Sequence, residues 1–200
     1  ALIAIVLLFS CTGNKPADGE YVFELYATND IHGRYFDSLY VEGNNGELVN
    51  RYSLASIVTK INEARNRMGD DNVILLDIVD HLQGDNAPFY YNFIDTISPH
   101  IYPLVSNYLR YDALVVGNHD IEPGNGVYDR VTAQFDMPYL AANAISTDTK
   151  KPYFEPYAIL NKAGVKIAVI GLTNPNVPNW LSPELWSGMY FDDIVSSLQY

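Results

Sequence analysis

The sequence predicts an α/β domain, in which buried strands alternate with helices along the chain. Three runs rich in apolar and β-branched residues are predicted strands, at residues 21–28, 72–79 and 112–116. Between the first two, apolar side chains recur at helical spacing over residues 53–68. Strands that alternate with helices are typical of α/β domains. A chain of 200 residues is long enough to bury the core of one such domain.

The rest of the chain continues the alternation. A helical region over residues 89–109 is expected to break near Pro99 and Pro103, because proline lacks the backbone N–H that a helix interior uses. The later predicted elements are a helix over 127–135, a short strand over 139–142, a hairpin of 157–160 with 165–172, a Pro-rich loop over 174–183 and a helix capped by Asp192. A turn in a polar insertion is expected at residues 44–46.

Composition and charge limit the partners. The formal net charge of −12 argues against a nucleic-acid polymer as partner, because phosphate backbones are bound by an excess of Lys and Arg. A small phosphate ester is compatible with this charge only if something other than protein side chains neutralises the phosphate. Bound metal ions would do so.

The first residues have the pattern of a targeting segment. Residues 1–9 are continuously apolar, too few to span a membrane but suited to a signal peptide. Leu8-Phe9-Ser10-Cys11 resembles a bacterial lipobox, which predicts a lipoprotein signal peptide and polar tether over residues 1–20, lipidation of Cys11 and export to the cell envelope. An ordinary signal peptide is the alternative. The apolar segment begins at Ala1 without the initiator Met and the basic stretch that open a signal peptide, so we expect further sequence before residue 1.

Potential metal ligands follow each of the three predicted strands. Asp30 and His32 come after the first, Asp80 after the second, and Asn118 and His119 after the third. A parallel arrangement would bring these loops to one edge of the sheet, where open α/β sheets build their sites. In an extended strand end, Asp-x-His would place both side chains on one side. Carboxylate with imidazole suits Zn, Mn, Fe or Co better than Ca or Mg.

The local strings are more specific than the single residues. They are Thr-Asn-Asp-Ile-His-Gly at 28–33, Leu-Leu-Asp-Ile-Val-Asp-His-Leu-Gln-Gly at 75–84 and Val-Gly-Asn-His-Asp at 116–120. In this order and spacing they resemble the calcineurin-like metallophosphoesterases, in the 5′-nucleotidase branch that includes UDP-sugar hydrolases and 2′,3′-cyclic-nucleotide phosphodiesterases. The resemblance covers residues 21–200 and implies the N-terminal part of an αββα sandwich, incomplete at its C-terminus.

The resemblance also implies a reaction and a set of ligands. Asp30 and His32 would hold one divalent ion, Asp80 would bridge two, and Asn118 would hold the second. Two ions sharing an anionic ligand clamp the attacking and leaving oxygens in phosphoryl transfer, and water between them becomes the nucleophile. The substrate implied is a nucleotide or another small phosphate ester.

Three further residues receive roles from the resemblance. His119 would protonate the leaving oxygen or stabilise the pentacovalent phosphorus, which is worth on the order of 10²–10⁴-fold for an acid–base group. An imidazole needs a partner on its other nitrogen; Glu122, three residues on, is favoured over the adjacent Asp120. Asn143 matches a position near the substrate phosphate.

Several polar and aromatic residues near the motifs have no matching ligand position and are expected to pack instead. They are Asp77, His81, His100, Tyr90, Tyr91 and Tyr102. Stacking of a nucleobase on the tyrosines is the alternative.

The chain departs from the family pattern in two ways. Val79 stands where the family usually has glycine before the bridging aspartate. Either the turn tolerates valine, or the bridge is displaced and the metal pair weakened; our hypothesis is that Val79 lowers metal affinity or turnover. The family's later histidine, its Gly-His-x-His segment and its C-terminal nucleotide-binding domain have no counterpart in these 200 residues, which predicts that the chain alone is inactive. The rival hypothesis is a non-catalytic lipoprotein of the same fold.

Overall fold

The computed structural model describes residues 18–40, 48–50 and 52–198. The described residues form ten strands: β1 (Glu24–Thr28), β2 (Ser38–Tyr40), β3 (Leu48–Asn50), β4 (Val73–Asp77), β5 (Ala113–Val115), β6 (Tyr139–Leu140), β7 (Ala144–Ser146), β8 (Tyr157–Lys162), β9 (Val165–Ile170) and β10 (Met189–Phe191). Their α-helices are α1 (Leu54–Met68), α2 (Asn86–Phe89), α3 (Ile101–Leu109), α4 (Asn118–Ile121), α5 (Asn125–Thr132), α6 (Val177–Trp180) and α7 (Ile194–Ser197). The predicted lipidation site Cys11 and the turn at 44–46 lie outside the described residues.

The central sheet has four parallel strands in the order β1-β4-β5-β6. Helical connections join consecutive strands, as parallel pairing requires. All four strands therefore end at the same edge, and the loops that carry the sequence motifs follow three of them. The predicted α/β class and the parallel arrangement of the motif-bearing strands are confirmed. Three antiparallel pairs, β2-β3, β7-β10 and β8-β9, lie outside this sheet.

Side chains alternate between the two faces of the sheet. Leu75 and Leu114 join the main core with residues of α1, α3 and α5. Their neighbours Leu76, Ala113 and Leu140 form a smaller cluster with the β8-β9 hairpin. The strand period of two thus packs one face against helices and the other against the hairpin.

Several predicted boundaries need correction. Pro103 does not break a helix: it is the third residue of α3, within the first turn, where backbone N–H groups have no intrahelical partner. A one-turn π-helix (Tyr90–Ile94) continues α2, and the break falls at residues 95–100, around Pro99. The predicted loop at 174–183 contains α6, and Asp193 rather than Asp192 caps the last helix. The helix predicted over residues 53–68 is α1, which begins one residue later, at Leu54, with Ser53 as its N-cap.

A buried polar network lies beneath the carboxyl edge of the sheet. The fully buried Asp77 carboxylate accepts hydrogen bonds from Thr28 Oγ1 and Tyr102 OH, each at 2.9 Å. The His81 imidazole stacks on the Tyr102 ring with centroids 4.0 Å apart. Its Nε2 is 2.5 Å from Asp77 Oδ2, although this contact lacks hydrogen-bond geometry. Asp77, His81 and Tyr102, which are predicted to pack, are buried together in this network.

The fully buried His100 makes stability depend on pH. Its Nδ1 accepts from Tyr102 N and its Nε2 donates to Asn92 Oδ1, and burial, followed by the charge of Arg130, lowers its pKa from 6.5 to about 3. Below pH 6.5 the His100 side chain therefore binds a proton in the unfolded chain but stays neutral in the folded chain. The contribution of neutral His100 to the unfolding free energy is thus present above pH 6.5 and is lost as the pH falls.

We therefore expect the wild-type protein to lose about 2 kcal/mol more unfolding free energy than His100→Asn between pH 7 and pH 5. Asparagine does not titrate and can still cap α3. Urea denaturation at the two pH values measures the difference. Equal losses in both proteins would contradict the pKa of His100.

Among the described residues, no helix is both long enough and apolar enough to cross a bilayer.

Candidate metal centre

Two of the motif loops are joined by backbone hydrogen bonds. Asp30 N donates to Val79 O at 3.1 Å, and His32 N donates to Asp80 O at 2.8 Å. Asp85 N then donates back to His32 O at 3.0 Å. The loops after β1 and β4 therefore form one unit, whose relative position is fixed by the main chain.

Three side chains from three different loops converge at this edge. Ligand atoms of His32, Asp80 and His119 all lie within 4.8 Å of one another, a spacing at which they could hold a metal ion. The rings of His32 and His119 meet edge to face, with centroids 5.1 Å apart. His119 N donates to Asp80 Oδ1 at 3.0 Å, and Asp30 Oδ1 is 3.6 Å from His32 Nε2. The structure thus brings together four of the predicted site residues.

Asp30 and His32 reach this arrangement through a turn and not through strand alternation. Their φ angles are 51° and 48°, in the left-handed region that Asp and His tolerate better than most residues. The sequence argument from an extended strand end was wrong about the backbone. The two side chains nevertheless lie on one side, because the turn curls them toward each other.

Gln83 orients the imidazole of His32. His32 Nδ1 is 3.0 Å from Gln83 Oε1 and 3.2 Å from Gln83 O. Both oxygens are acceptors, so Nδ1 carries the proton and Nε2 is left with its lone pair toward Asp30 and the cluster. Sequence reasoning missed Gln83. The signal available was an amide side chain between Asp80 and Gly84, in the loop that follows the ligand.

Glu122 occupies the corresponding position beside His119. Its Oε2 is 2.6 Å from His119 Nδ1. A carboxylate accepts, so Nδ1 donates and Nε2 of His119 is the nitrogen available to the cluster. Of the two partners considered for His119, the structure places Glu122 against the ring.

Asp120 lies elsewhere, fully buried behind the loops. Its Oδ1 accepts from the backbone N–H groups of His81 and Leu82 at 2.8 and 2.9 Å, and its Oδ2 accepts from Asp80 and Gly117 at 3.1 and 2.9 Å. It does not face the cluster. Its hydrogen bonds tie the loop after β4 to the segment after β5, and a catalytic role for Asp120 stays a prediction.

The donor set fits a divalent cation. Burial, followed by the neighbouring Asp120 carboxylate, raises the pKa of Asp80. Both effects destabilise the charged form of Asp80, and a cation beside this carboxylate would stabilise the charged form. Two imidazoles with carboxylates favour a transition metal such as Zn or Mn.

The remaining two predicted residues differ in their surroundings. Asn118 is the first residue of α4 and is half-buried, next to His119 in the chain. Asn143 is fully buried: its amide nitrogen donates to Thr173 O and Asp192 O, and its oxygen accepts from Thr173 N. Both amide protons are thus committed to the backbone, and a substrate contact by Asn143 stays a prediction.

Glycine is required where the loops touch. A Cβ on Gly117 would lie 2.0 Å from Asp80 Oδ1, so any side chain there would displace the proposed bridging carboxylate. Gly84 has a φ of +122°, and a Cβ there would lie 2.6 Å from His32 O. Both glycines permit the close approach on which the cluster depends.

Val79 is strained, as its replacement of glycine predicts. Its φ is +143°, a conformation in which a β-branched residue costs roughly 1–3 kcal/mol. The strained residue directly precedes Asp80, and its carbonyl oxygen accepts the hydrogen bond from Asp30 N.

Val79→Gly should therefore raise metal affinity about 2- to 10-fold, which is the effect of removing half of that strain, roughly 0.5–1.5 kcal/mol, from the metal-bound state alone. Val79→Ala is the matched control, because it removes the methyl groups but keeps the Cβ that makes a positive φ unfavourable. Calorimetric titration with Zn²⁺ or Mn²⁺ measures the affinity. Unchanged metal content and turnover in Val79→Gly would sink the hypothesis.

No family model matches this chain. Among curated proteins, it is 31% identical over 180 residues to a 5′-nucleotidase of Vibrio parahaemolyticus, covering 88% of this chain and 29% of that protein. It is 30% identical over 178 residues to protein UshA of Yersinia enterocolitica, covering 88% of this chain and 29% of that protein. The chain therefore spans about 30% of the length of these relatives.

Solved structures agree with the sequence relatives. The calcineurin-like phosphoesterase YfkN of Bacillus subtilis matches with a TM-score of 0.71 and 27% identity, over 86% of this chain and 55% of that one. A 5′-nucleotidase precursor of Thermus thermophilus matches with a TM-score of 0.67 and 26% identity, over 88% of this chain and 32% of that one. The chain therefore shares its fold with parts of both solved structures.

Proposed function

The chain belongs to the calcineurin-like phosphoesterases, in the branch of the 5′-nucleotidases, and from this premise we propose that the intact protein hydrolyses nucleotide phosphate esters with divalent metal ions. One observation carries the proposal: His32, Asp80 and His119 converge within 4.8 Å from three loops. The pairing of His119 with Glu122 at 2.6 Å supports a separate role for that histidine.

The proposed roles follow from which atoms are free. Asp30, His32 and Asp80 would hold the ions, with Asn118 as a further ligand and Asp80 as the bridge. Two divalent ions bound there would supply the water nucleophile and neutralise the phosphoryl oxygens. In its imidazolium form, with Nδ1–H donating to Glu122, His119 would give the Nε2 proton to the leaving oxygen and become the neutral imidazole.

The test is phosphate release from AMP by the intact gene product, stripped of metal and then given Mn²⁺ or Zn²⁺. Release that depends on the added metal and is lost in His32→Ala is expected. A 2′,3′-cyclic nucleotide assayed in parallel tests the diesterase alternative. No release from either nucleotide with any of these metals would contradict the proposal.

A non-catalytic relative of the same fold is the second candidate, because Val79 is strained beside the bridging residue. Metal titration distinguishes the non-catalytic relative from the metal-dependent hydrolase. If Val79 has abolished the site, wild type will bind no Zn²⁺ or Mn²⁺ and Val79→Gly will bind either ion.

We also propose that residues 1–200 alone do not complete a two-metal centre. The ligands proposed among the described residues are four side chains, those of Asp30, His32, Asp80 and Asn118, which are fewer than two ions in tetrahedral or larger coordination require. Robust AMP hydrolysis by these 200 residues with Mn²⁺ would contradict this.

The proposed location rests on sequence alone. Residues 1–9 and the Leu-Phe-Ser-Cys string support export and attachment through a lipid on Cys11. Metabolic labelling with a radioactive fatty acid tests it, with Cys11→Ser as the control. Equal labelling of both proteins would contradict a lipid on Cys11.

A further inference from the structure

The turn that carries Asp80 holds two successive residues other than glycine at positive φ. Val79 has a φ of +143° and Asp80 a φ of +64°. Residues in such conformations persist only where the surrounding structure fixes them in place. The hydrogen bonds from the backbone N–H groups of Asp80 and His81 to the Asp120 carboxylate restrain the main chain of this turn. The side chain of His81 is fixed as well.

The completely buried imidazole of His81 is in contact with three separate segments of the chain. The ring of Tyr102, on α3, stacks on it with centroids 4.0 Å apart and planes within 6° of parallel. The ring of Tyr35, in the loop after β1, lies 5.8 Å away at 30°. The carboxylate of Asp77, the last residue of β4, is 2.5 Å from His81 Nε2. We refer to these contacts as the His81 clamp.

A fixed side chain at residue 81 changes the step at which the strain of Val79 arises. If the turn were free in the metal-free protein, it would relax, and metal binding would have to restore the strained geometry. If the turn is held, the strain is already present in the folded protein and Asp80 stands in its ligand position before the metal arrives. Preorganisation of this kind raises affinity without adding a ligand.

We propose that His81 is a positioning residue, which keeps the strained turn of Val79 and Asp80, and with it the Asp80 carboxylate, in the metal-binding geometry. It acts through Asp80 and not by contact with metal or substrate. The inference rests on the metal binding proposed above. It goes beyond that proposal because it assigns to one buried side chain the tolerance of valine where the family usually has glycine.

A double-mutant cycle tests the clamp through its coupling to Val79. His81→Ala removes the ring, and Val79→Gly removes the strain that the ring holds. Calorimetry on the intact protein should show that His81→Ala weakens Zn²⁺ binding about 5-fold when Val79 is present, the effect of about half of the strain. In the Val79→Gly background the same substitution should weaken binding less than about 2-fold.

The same cycle on the metal-free protein gives a readout that needs no metal. Val79→Gly should raise the urea midpoint of unfolding less in His81→Ala than in wild type, because the turn has already relaxed. Leu109→Ala is the control for destabilisation in general, since Leu109 is buried at the end of α3, before β5 and so at the opposite edge of the sheet. Its effects should be equal in both backgrounds.

Equal losses of Zn²⁺ affinity in the two backgrounds, or unfolding midpoints that are additive, would overturn the clamp and leave His81 as an ordinary core residue. If His81→Ala does not fold, His81→Phe takes its place, because it keeps a ring for Tyr102 and removes the contact with Asp77. A wild type that binds no Zn²⁺ would contradict the proposed function instead, and the metal-free cycle would then decide the clamp alone.

Discussion

Asp120→Ala is expected to lower the unfolding free energy by about 3–5 kcal/mol, the range for breaking a buried charged hydrogen-bond network. The Asp120 carboxylate accepts four backbone N–H groups, from Asp80, His81, Leu82 and Gly117. Alanine would leave all four donors buried without a partner. The loop that carries Asp80 would then lose its attachment to the loop that carries His119.

Urea denaturation of wild type, Asp120→Ala and Asp120→Asn measures the effect. Asparagine keeps the volume but turns an NH₂ group toward two of the donors, so it should fall between the other two. Asp136→Ala is the control, because Asp136 is exposed. A loss below about 1 kcal/mol for Asp120→Ala would mean that the four bonds do not hold the loops.

The same variant separates a positioning role from a catalytic one. If Asp120 acts only through the backbone of residues 80–82, metal affinity and activity should fall together in Asp120→Asn, because the ligand Asp80 moves. A catalytic carboxylate would lower turnover and leave Zn²⁺ affinity unchanged. Calorimetry and AMP hydrolysis on one preparation distinguish the two.

Helical geometry explains why sequence alone left Asp120 and Glu122 as rivals. Both acids follow His119 closely, and adjacency favours Asp120. In the short helix α4, however, residues three apart are neighbours on the surface, while the next residue points about 100° away. Glu122 therefore meets the imidazole, and Asp120 turns into the interior.

The carboxyl-edge position of the motifs could be predicted because it depends only on strand polarity. The parallel pairing of β1, β4 and β5 follows from helical connections, and it brings the three loops together whatever their details. Local turns were less predictable. The left-handed φ of Asp30 and His32 is fixed by hydrogen bonds to Val79 and Asp80, about fifty residues away in sequence.

Gln83 illustrates what a motif cannot show. Its side chain is an ordinary amide in a loop, and only the three-dimensional contact with His32 Nδ1 gives it a role. Val79 is the opposite case. There the expectation of strain came from the glycine that the family usually has at this position, and the φ of +143° agrees with it.

His119→Ala is expected to slow AMP hydrolysis by about 10²–10⁴-fold, the usual contribution of an acid–base group. The effect should depend on the leaving group. In AMP hydrolysis the adenosine departs through its 5′-oxygen as a basic alkoxide that needs a proton, whereas para-nitrophenolate departs readily without one. An acid at His119 therefore predicts a large loss for AMP and a much smaller loss for para-nitrophenyl phosphate.

The rival role for His119 is that of a metal ligand, since its ring is one of the three groups within 4.8 Å. A lost ligand would slow both substrates alike and lower Zn²⁺ affinity. Glu122→Gln gives the second discrimination: an amide still holds Nδ1 but stabilises the protonated ring less, so it should reproduce a weaker form of the same leaving-group dependence. Equal losses for both substrates, with reduced metal content, would assign His119 to the metal instead of the proton.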